Sequence, residues 1–157
     1  MAYSTVAKIR QEAGFQNNSN VTDATITTQQ DYAFGIVRQY VARRYALSTL
    51  SGALFTGSPA EDVLELCERL LAAGGLQDEQ YQGQPIGEAE GKAKKDRAME
   101  MLEAISSGKM VLIDVNGDII TSEGATSGGL SAAYTAPPRT DAEPSSSERK
   151  FTVDKKW

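Results

Sequence analysis

The sequence predicts a mainly α protein. A small four-helix domain with a β-hairpin occupies residues 1–121, and a long extended C-terminal arm occupies 122–157. Three observations lead there. Apolar residues recur at spacings of three and four through most of the first 121 positions, the period of helices with one buried face. Near Met110 the period drops to two on either side of Asn116-Gly117, a dipeptide suited to a tight turn with positive φ. From Ser122 to Ser147, 15 of 26 residues are Gly, Ser, Thr or Pro. Only Leu130 and Tyr134 there offer sizeable apolar surface, too little to offset backbone ordering at about 1–2 kcal/mol per residue.

The elements follow in order. Ser4 or Thr5 caps a short helix carrying Val6, Ile9, Arg10 and Ala13, which Gly14 ends in a left-handed conformation. Residues 15–22 read as a polar loop. A long helix is expected from Thr28 to Tyr45, with Tyr32, Ala33, Ile36, Val37, Tyr40, Val41 and Tyr45 along its apolar stripe. Ser58-Pro59-Ala60-Glu61 opens the third helix with a hydroxyl cap, a proline in the first turn and an acid behind it. Val63, Leu64, Leu66, Cys67, Leu70 and Leu71 form its apolar face, and Gly74-Gly75 are expected to stop it. Leu66, Cys67 and Leu70 should be buried with Ile36, Val37 and Leu102. The fourth helix is expected from Ala89 to Ser106, with Ala93, Ala98, Met101, Leu102 and Ile105 inward and Gly108 past its end. Met110–Asp114 and Asp118–Thr121 would form the hairpin, lying on the helices or on another subunit because an isolated hairpin is marginal.

Charge and composition exclude whole classes of function. The formal charge is −5 with no histidine, which removes His-dependent triads, His–metal sites and the usual neutral-pH base. The acidity is local: residues 61–90 carry eight acids against Arg69 alone. A broad electrostatic footprint for nucleic acid or an anionic membrane is not expected, which demotes a helix-turn-helix DNA binder. The single cysteine, Cys67, forms no internal disulfide, so the chain reads as a product of a reducing compartment. No signal peptide and no membrane span are apparent. The expectation is a non-enzymatic protein without cofactor or metal.

Apparent motifs resolve into plain structure. Asp114-Val-Asn116-Gly-Asp118 opens like a calcium loop, but glycine falls at the fourth position instead of the sixth and Glu123 at the tenth instead of the twelfth. Gly87-Glu-Ala-Glu-Gly91-Lys92-Ala93 is one residue short of a phosphate loop and lacks its Ser/Thr. Gly124-Ala-Thr-Ser-Gly128 puts threonine where a nucleophile elbow has serine, with no histidine to activate it. Cys67 reads as a core thiol. Arg38, Arg43 and Arg44 suit the end of the second helix, or an acidic partner surface. Lys92, Lys94, Lys95 and Arg97 read as a solvated face. The final seven residues, Phe151-Thr-Val-Asp-Lys-Lys-Trp157, alternate apolar with polar. Phe151, Val153 and Trp157 on one side of an extended strand suit addition to a partner's sheet edge, with Lys155 and Lys156 pairing at the rim.

Over residues 3–113 the chain resembles the small head–tail adaptor (head-completion, or connector) proteins of tailed bacteriophages, in their Mu-like branch. Tyr3-Ser-Thr-Val-Ala-Lys-Ile9 looks like the family's short first helix, and Ala42-Arg43-Arg44-Tyr45 like its Arg-Tyr link. Leu47 and Leu50 fill the apolar places that follow, without the proline common there. The most specific piece is Arg97-Ala98, Leu102, Ile105, Gly108-Lys109 and Leu112, similar to the family's closing helix, glycine-lysine turn and strand. Arg149-Lys-Phe151 is similar to an aromatic near the end of some relatives.

The resemblance implies a structural virion protein at the neck, assembled in the bacterial host cytoplasm. It implies a ring, commonly of twelve copies, between the capsid portal protein and the next neck, stopper or tail component. Double-stranded DNA would pass through the lumen as non-specific cargo. The partner-binding residues expected are Phe151, Val153, Lys155, Lys156, Trp157, Arg43 and Arg44. Glu61, Asp62, Glu65 and Glu68 would face either the lumen, repelling phosphates, or a basic neighbouring copy. The alternative from the residues alone is a helical interaction module binding a regulatory partner through its C-terminal peptide.

Overall fold

Ser58 and Pro59 set the start of the helix on which the other three pack. In the computed structural model, which describes residues 2–120, the Ser58 hydroxyl accepts from the Glu61 N–H at 3.1 Å. Pro59, which has no N–H to leave unpaired, lies in the first turn. The order is α1 (Val6–Glu12), α2 (Asp23–Val41), a single 3-10 turn (Leu47–Leu50), α3 (Pro59–Gln80) and α4 (Pro85–Ser107). Threonines start α1 and α2 in the same way: Thr5 accepts from the Lys8 N–H at 3.4 Å and Thr22 from the Thr25 N–H at 3.2 Å. α3 packs on α1, α2 and α4, and α2 also touches α1 and α4. Ile9, Ile26, Val37, Leu64, Leu76 and Leu102 are among the fully buried side chains of one continuous core. No helix among the described residues is long and apolar enough to cross a membrane.

Four helices stand as expected, but their bounds and some faces differ. α2 begins at Asp23, five residues before the expected Thr28. The β-branched run Thr25-Ile-Thr-Thr28 has poor helix propensity. Burial of Ile26 overrides it, and the Thr27 and Thr28 hydroxyls donate back to the Asp23 and Ala24 carbonyls. The helix stops at Val41 because the chain turns there, with the Arg44 and Tyr45 N–H groups both donating to the Val41 carbonyl. That turn brings Tyr45 into the core. Tyr32 is 72% exposed, off the stripe assigned to it, and Ala93 also faces solvent. Leu66 and Ile36 are half-buried, while Cys67, Leu70, Val37 and Leu102 are buried as expected.

Gly74 and Gly75 do not end α3. A methyl group on Gly74 would sit 2.6 Å from the Gly91 carbonyl oxygen of α4, and one on Gly91 would sit 2.9 Å from the Gly74 carbonyl oxygen. The two helix backbones touch there, which side chains at those positions would prevent. α3 therefore runs to Gln80, and α4 starts after a short turn at Pro85.

The hairpin is a correction. No strand forms among the described residues; a single antiparallel bridge joins Ile113 and Ile119. The Asn116-Gly117 turn itself is present, with Gly117 at φ +88°. Two backbone bonds flank the bridge, from the Asp114 N–H to the Asp118 carbonyl and from the Ile120 N–H to the Leu112 carbonyl, each at 2.9 Å. On the outer edge the Ile113 carbonyl accepts from the Ala60 N–H and the Val115 N–H donates to the Leu54 carbonyl, each at 3.1 Å. Pairing is confined to that one bridge, so no ladder forms, and the outer edge of the segment is tied to Ala60 in the first turn of α3 and to Leu54 in the loop before it. Thr121 and the arm lie outside the described residues.

The helix contact makes two glycine substitutions behave oppositely. At Gly35, in α2, an alanine methyl group would meet nothing within 4 Å, so Gly35→Ala should raise stability by about 0.5–1 kcal/mol through propensity. Gly74→Ala should lower it by about 1–3 kcal/mol through overpacking. Urea denaturation measures both; a stabilising Gly74→Ala would contradict the close approach.

Candidate functional site

The acids of residues 61–90 are mostly engaged within the fold. Glu61, half-buried in the first turn of α3, accepts from the Gly57 N–H at 2.6 Å. Glu65 pairs with Lys8 at 2.7 Å and with Arg69 one turn on at 3.7 Å. Asp78 pairs with Lys95 of α4. Glu88 accepts from the Gly83 N–H, Glu79 from the Gln29 amide and Glu90 from the Gln77 amide. Of the four acids expected to face a lumen or a neighbour, Asp62 is exposed and Glu61 and Glu65 are half-buried. Glu68 belongs to the core, which removes it from that set.

Glu68 organises the start of the chain. Its carboxylate accepts from the Tyr3 N–H at 2.8 Å, the Ser4 N–H at 3.2 Å and the Gln30 amide at 3.1 Å. The same Gln30 amide donates to the Ser4 carbonyl at 2.6 Å. Three elements thus meet on one buried carboxylate. Burial pushes the Glu68 pKa above the usual carboxylate range; the Tyr3, Gln30 and Ser4 donors oppose this and the Glu65 charge adds to it. Tyr3, held this way, packs edge-on against Phe34 at 5.4 Å and Phe55 at 5.9 Å between centroids.

Arg38, Arg43 and Arg44 lie on the last turn of α2 and just beyond it. The Arg38 guanidinium sits 5.4 Å from the Phe34 ring and that of Arg43 4.2 Å from the Tyr40 ring, both side chains largely in solvent. The Arg44 guanidinium lies 5.9 Å from the Tyr45 ring and rests against Gly108, where α4 ends with φ +79°. A cation there suits the negative end of the helix dipole, and any side chain at position 108 would collide with it. None of these three arginines makes an ion pair among the described residues. The Leu112 N–H donates to the Tyr45 hydroxyl at 3.3 Å. The link after α2 and the segment after α4 are therefore joined directly.

Lys92 and Arg97 are exposed as expected, but Lys94 and Lys95 are half-buried, Lys94 donating to the Gln77 amide oxygen and Lys95 pairing with Asp78. The other motifs keep their plain readings where the structure describes them. Asp114 Oδ1 accepts from the Asn116 and Asp118 N–H groups at 2.8 and 3.0 Å, so the calcium-like run is a carboxylate-capped turn. Gly87–Ala93 is helical within α4. Cys67 is buried, and burial pushes its thiol up to about 12, far from the range of a nucleophile. Gly124–Gly128, Phe151, Val153, Lys155, Lys156 and Trp157 lie outside the described residues. Sequence reasoning missed a groove of about 430 Å³ between the 49–54 loop and the 114–120 turn. Its only sequence signal is the apolar Leu54, which no expected element accounts for.

Glu68 gives a pH-dependent prediction. With its folded-state pKa raised above the unfolded one, the native chain holds a proton that the unfolded chain has lost between the two values. Its contribution to stability is full below the unfolded value and is lost as pH rises through the folded one. Wild type should therefore gain stability over Glu68→Gln as pH falls from neutrality toward about 4.3. A difference that stays flat across that range in denaturation curves would contradict the raised pKa. At neutral pH, Glu68→Lys should cost about 3–5 kcal/mol, whereas the exposed Asp62→Lys should stay within about 0.5 kcal/mol.

No protein-family model, curated protein or solved structure matches the chain.

Proposed function

We propose that the protein is a head–tail adaptor of a tailed bacteriophage, a structural subunit that joins neighbouring copies in a ring between the capsid portal and the next neck or tail component. DNA passes through that ring without specific contacts. The observation that carries the reading is the union of two of the sequence pieces on which the resemblance rests. Arg44-Tyr45 follows α2, and Gly108 to Leu112 follows α4, some sixty residues apart in the chain. They meet through the Tyr45 hydroxyl bond to the Leu112 N–H and the packing of Arg44 on Gly108. Two motifs that form one structural unit make a more specific signature than either alone.

The surface chemistry supports a part that assembles. Arg38 and Arg43 present cations held over aromatic rings, without a carboxylate partner among the described residues. An acidic face on a neighbouring subunit or a portal would complement them. Asp62 and Glu79 remain exposed as acids of the opposite sign, which suits a repeating contact between identical copies. The role needs no substrate pocket and no cofactor; it needs a stable body, complementary rims and an anchoring segment.

Co-sedimentation with the portal oligomer of the same phage tests this. The full chain should travel with the portal, and a chain lacking residues 148–157 should keep its helical circular dichroism yet lose most of that attachment. A full chain that stays in the unbound fraction at saturating concentration would overturn the adaptor reading. A truncated chain that binds as well as the full one would remove the arm as its anchor.

A further inference from the structure

Most large apolar residues of the described chain are covered, but four of the six exposed ones fall in two short stretches: Leu54 in the loop before α3, and Val111, Val115 and Ile119 after α4. Leu54 is 59% exposed and Ile119 62%. These two, with Thr49, Ala53, Asp114 and Ile120, line the groove of about 430 Å³ between that loop and the turn after α4. The Val115 N–H bond to the Leu54 carbonyl holds its two walls together. A ready-made apolar concavity of this size takes one or two large side chains. A contiguous apolar surface that stays open to water is a docking site by default.

We infer that residues 151–157 of the same chain, Phe-Thr-Val-Asp-Lys-Lys-Trp, dock in this groove and seat the Trp157 ring between Leu54 and Ile119. Three arguments select this occupant: where the chain leaves the body, charge, and apolar complementarity. The described chain leaves from the groove itself, since Ile120 is part of its lining. Thirty residues, 121–150, separate Ile120 from Phe151. Gly/Ser-rich chains of that length have an average end-to-end distance of roughly 30 Å. Tethering over such a distance gives an effective concentration on the order of millimolar, which rewards even a weak contact.

Charge points the same way. Asp114 is the one charged residue lining the groove among the described residues, and Asp118 is exposed beside it on the same turn. The segment brings Lys155 and Lys156 next to its terminal aromatic. Seating Trp157 would place both ammonium groups near these carboxylates. The apolar complement is also matched: Phe151, Val153 and Trp157 are the large apolar side chains of the segment, and the groove offers Leu54, Ile119 and Ile120. This docking does not depend on the adaptor reading; it is a property of the free chain, and a partner would bind the segment only by displacing it.

Trp157 is the only tryptophan, so its fluorescence in the full chain reports the docking directly. Excited where tyrosine does not absorb, it should emit at shorter wavelength than free tryptophan in buffer and be protected several-fold from acrylamide. Both effects should be independent of protein concentration. Leu54→Ser and Ile119→Ser replace exposed side chains and should keep the melting temperature while returning emission and quenching to the free values. A wild-type chain with solvent-like emission and full quencher access would overturn the inference without any variant. So would protection that persists in folded Leu54→Ser/Ile119→Ser. Protection that appears only as concentration rises would also overturn it, replacing docking within one chain by exchange between copies.

Discussion

The backbones of α3 and α4 touch at Gly74 and Gly91, and the length of α3 and the turn into α4 depend on that contact. Each glycine costs helix propensity, about 1 kcal/mol against alanine. The gain is a helix pair close enough for Cys67, Leu71, Leu102 and Ile105 to share one core. Close approach also lets α3 continue to Gln80, so that the turn at Tyr81 reaches back to the α1–α2 link. The Tyr81 ring stacks on Phe15 with centroids 5.7 Å apart, and Gly87 leaves room for it at the start of α4. At the opposite end, α4 stops at Gly108 under the Arg44 guanidinium, which fixes where the closing segment emerges.

This arrangement separates the charges that build the fold from those left open to solvent. Carboxylates along α3 and early α4 accept from backbone N–H groups, pair with Lys8, Arg69 and Lys95, or, at Glu68, hold the chain start in the core. An acidic stretch in the sequence thus becomes largely internal wiring. Arg38 and Arg43 are the reverse, cations supported by their own aromatic rings and open to another surface. The groove at Leu54 and Ile119 adds an apolar element to that exterior. Cationic and apolar surface features thus surround a well-packed body.

The helices were legible because their signals are local. Hydroxyl caps at Thr5 and Ser58, the Pro59 start and the Gly108 stop involve neighbours in sequence, and the three- and four-residue stripes place Val37, Cys67 and Leu102 inward. What escaped depends on distant partners. Gly74 reads as a helix stop until Gly91 is known to lie against it. The threonine run before Thr28 reads as loop until Ile26 is seen in the core. The alternation around Asn116-Gly117 reads as a hairpin, but pairing across the turn is confined to one bridge between Ile113 and Ile119, and the outer edge of the segment is bonded to Ala60 and Leu54. Glu68 looks like Asp62 and Glu65 in the sequence because periodicity cannot tell a carboxylate awaiting two backbone donors from one facing water. The candidate site was legible only at Arg43 and Arg44, whose cluster stands out in the sequence; the groove is formed by segments some sixty residues apart and has no local signature.

The geometry of attachment to a portal is what distinguishes a ring subunit from any other helical module with sticky surfaces. Cryo-electron microscopy of the portal oligomer saturated with this protein reads it directly. A coaxial ring with one copy per portal subunit, α2 cations at a subunit contact and an open central channel is the predicted result. Copies scattered off the axis, a stoichiometry unrelated to the portal's symmetry, or a blocked channel would contradict it.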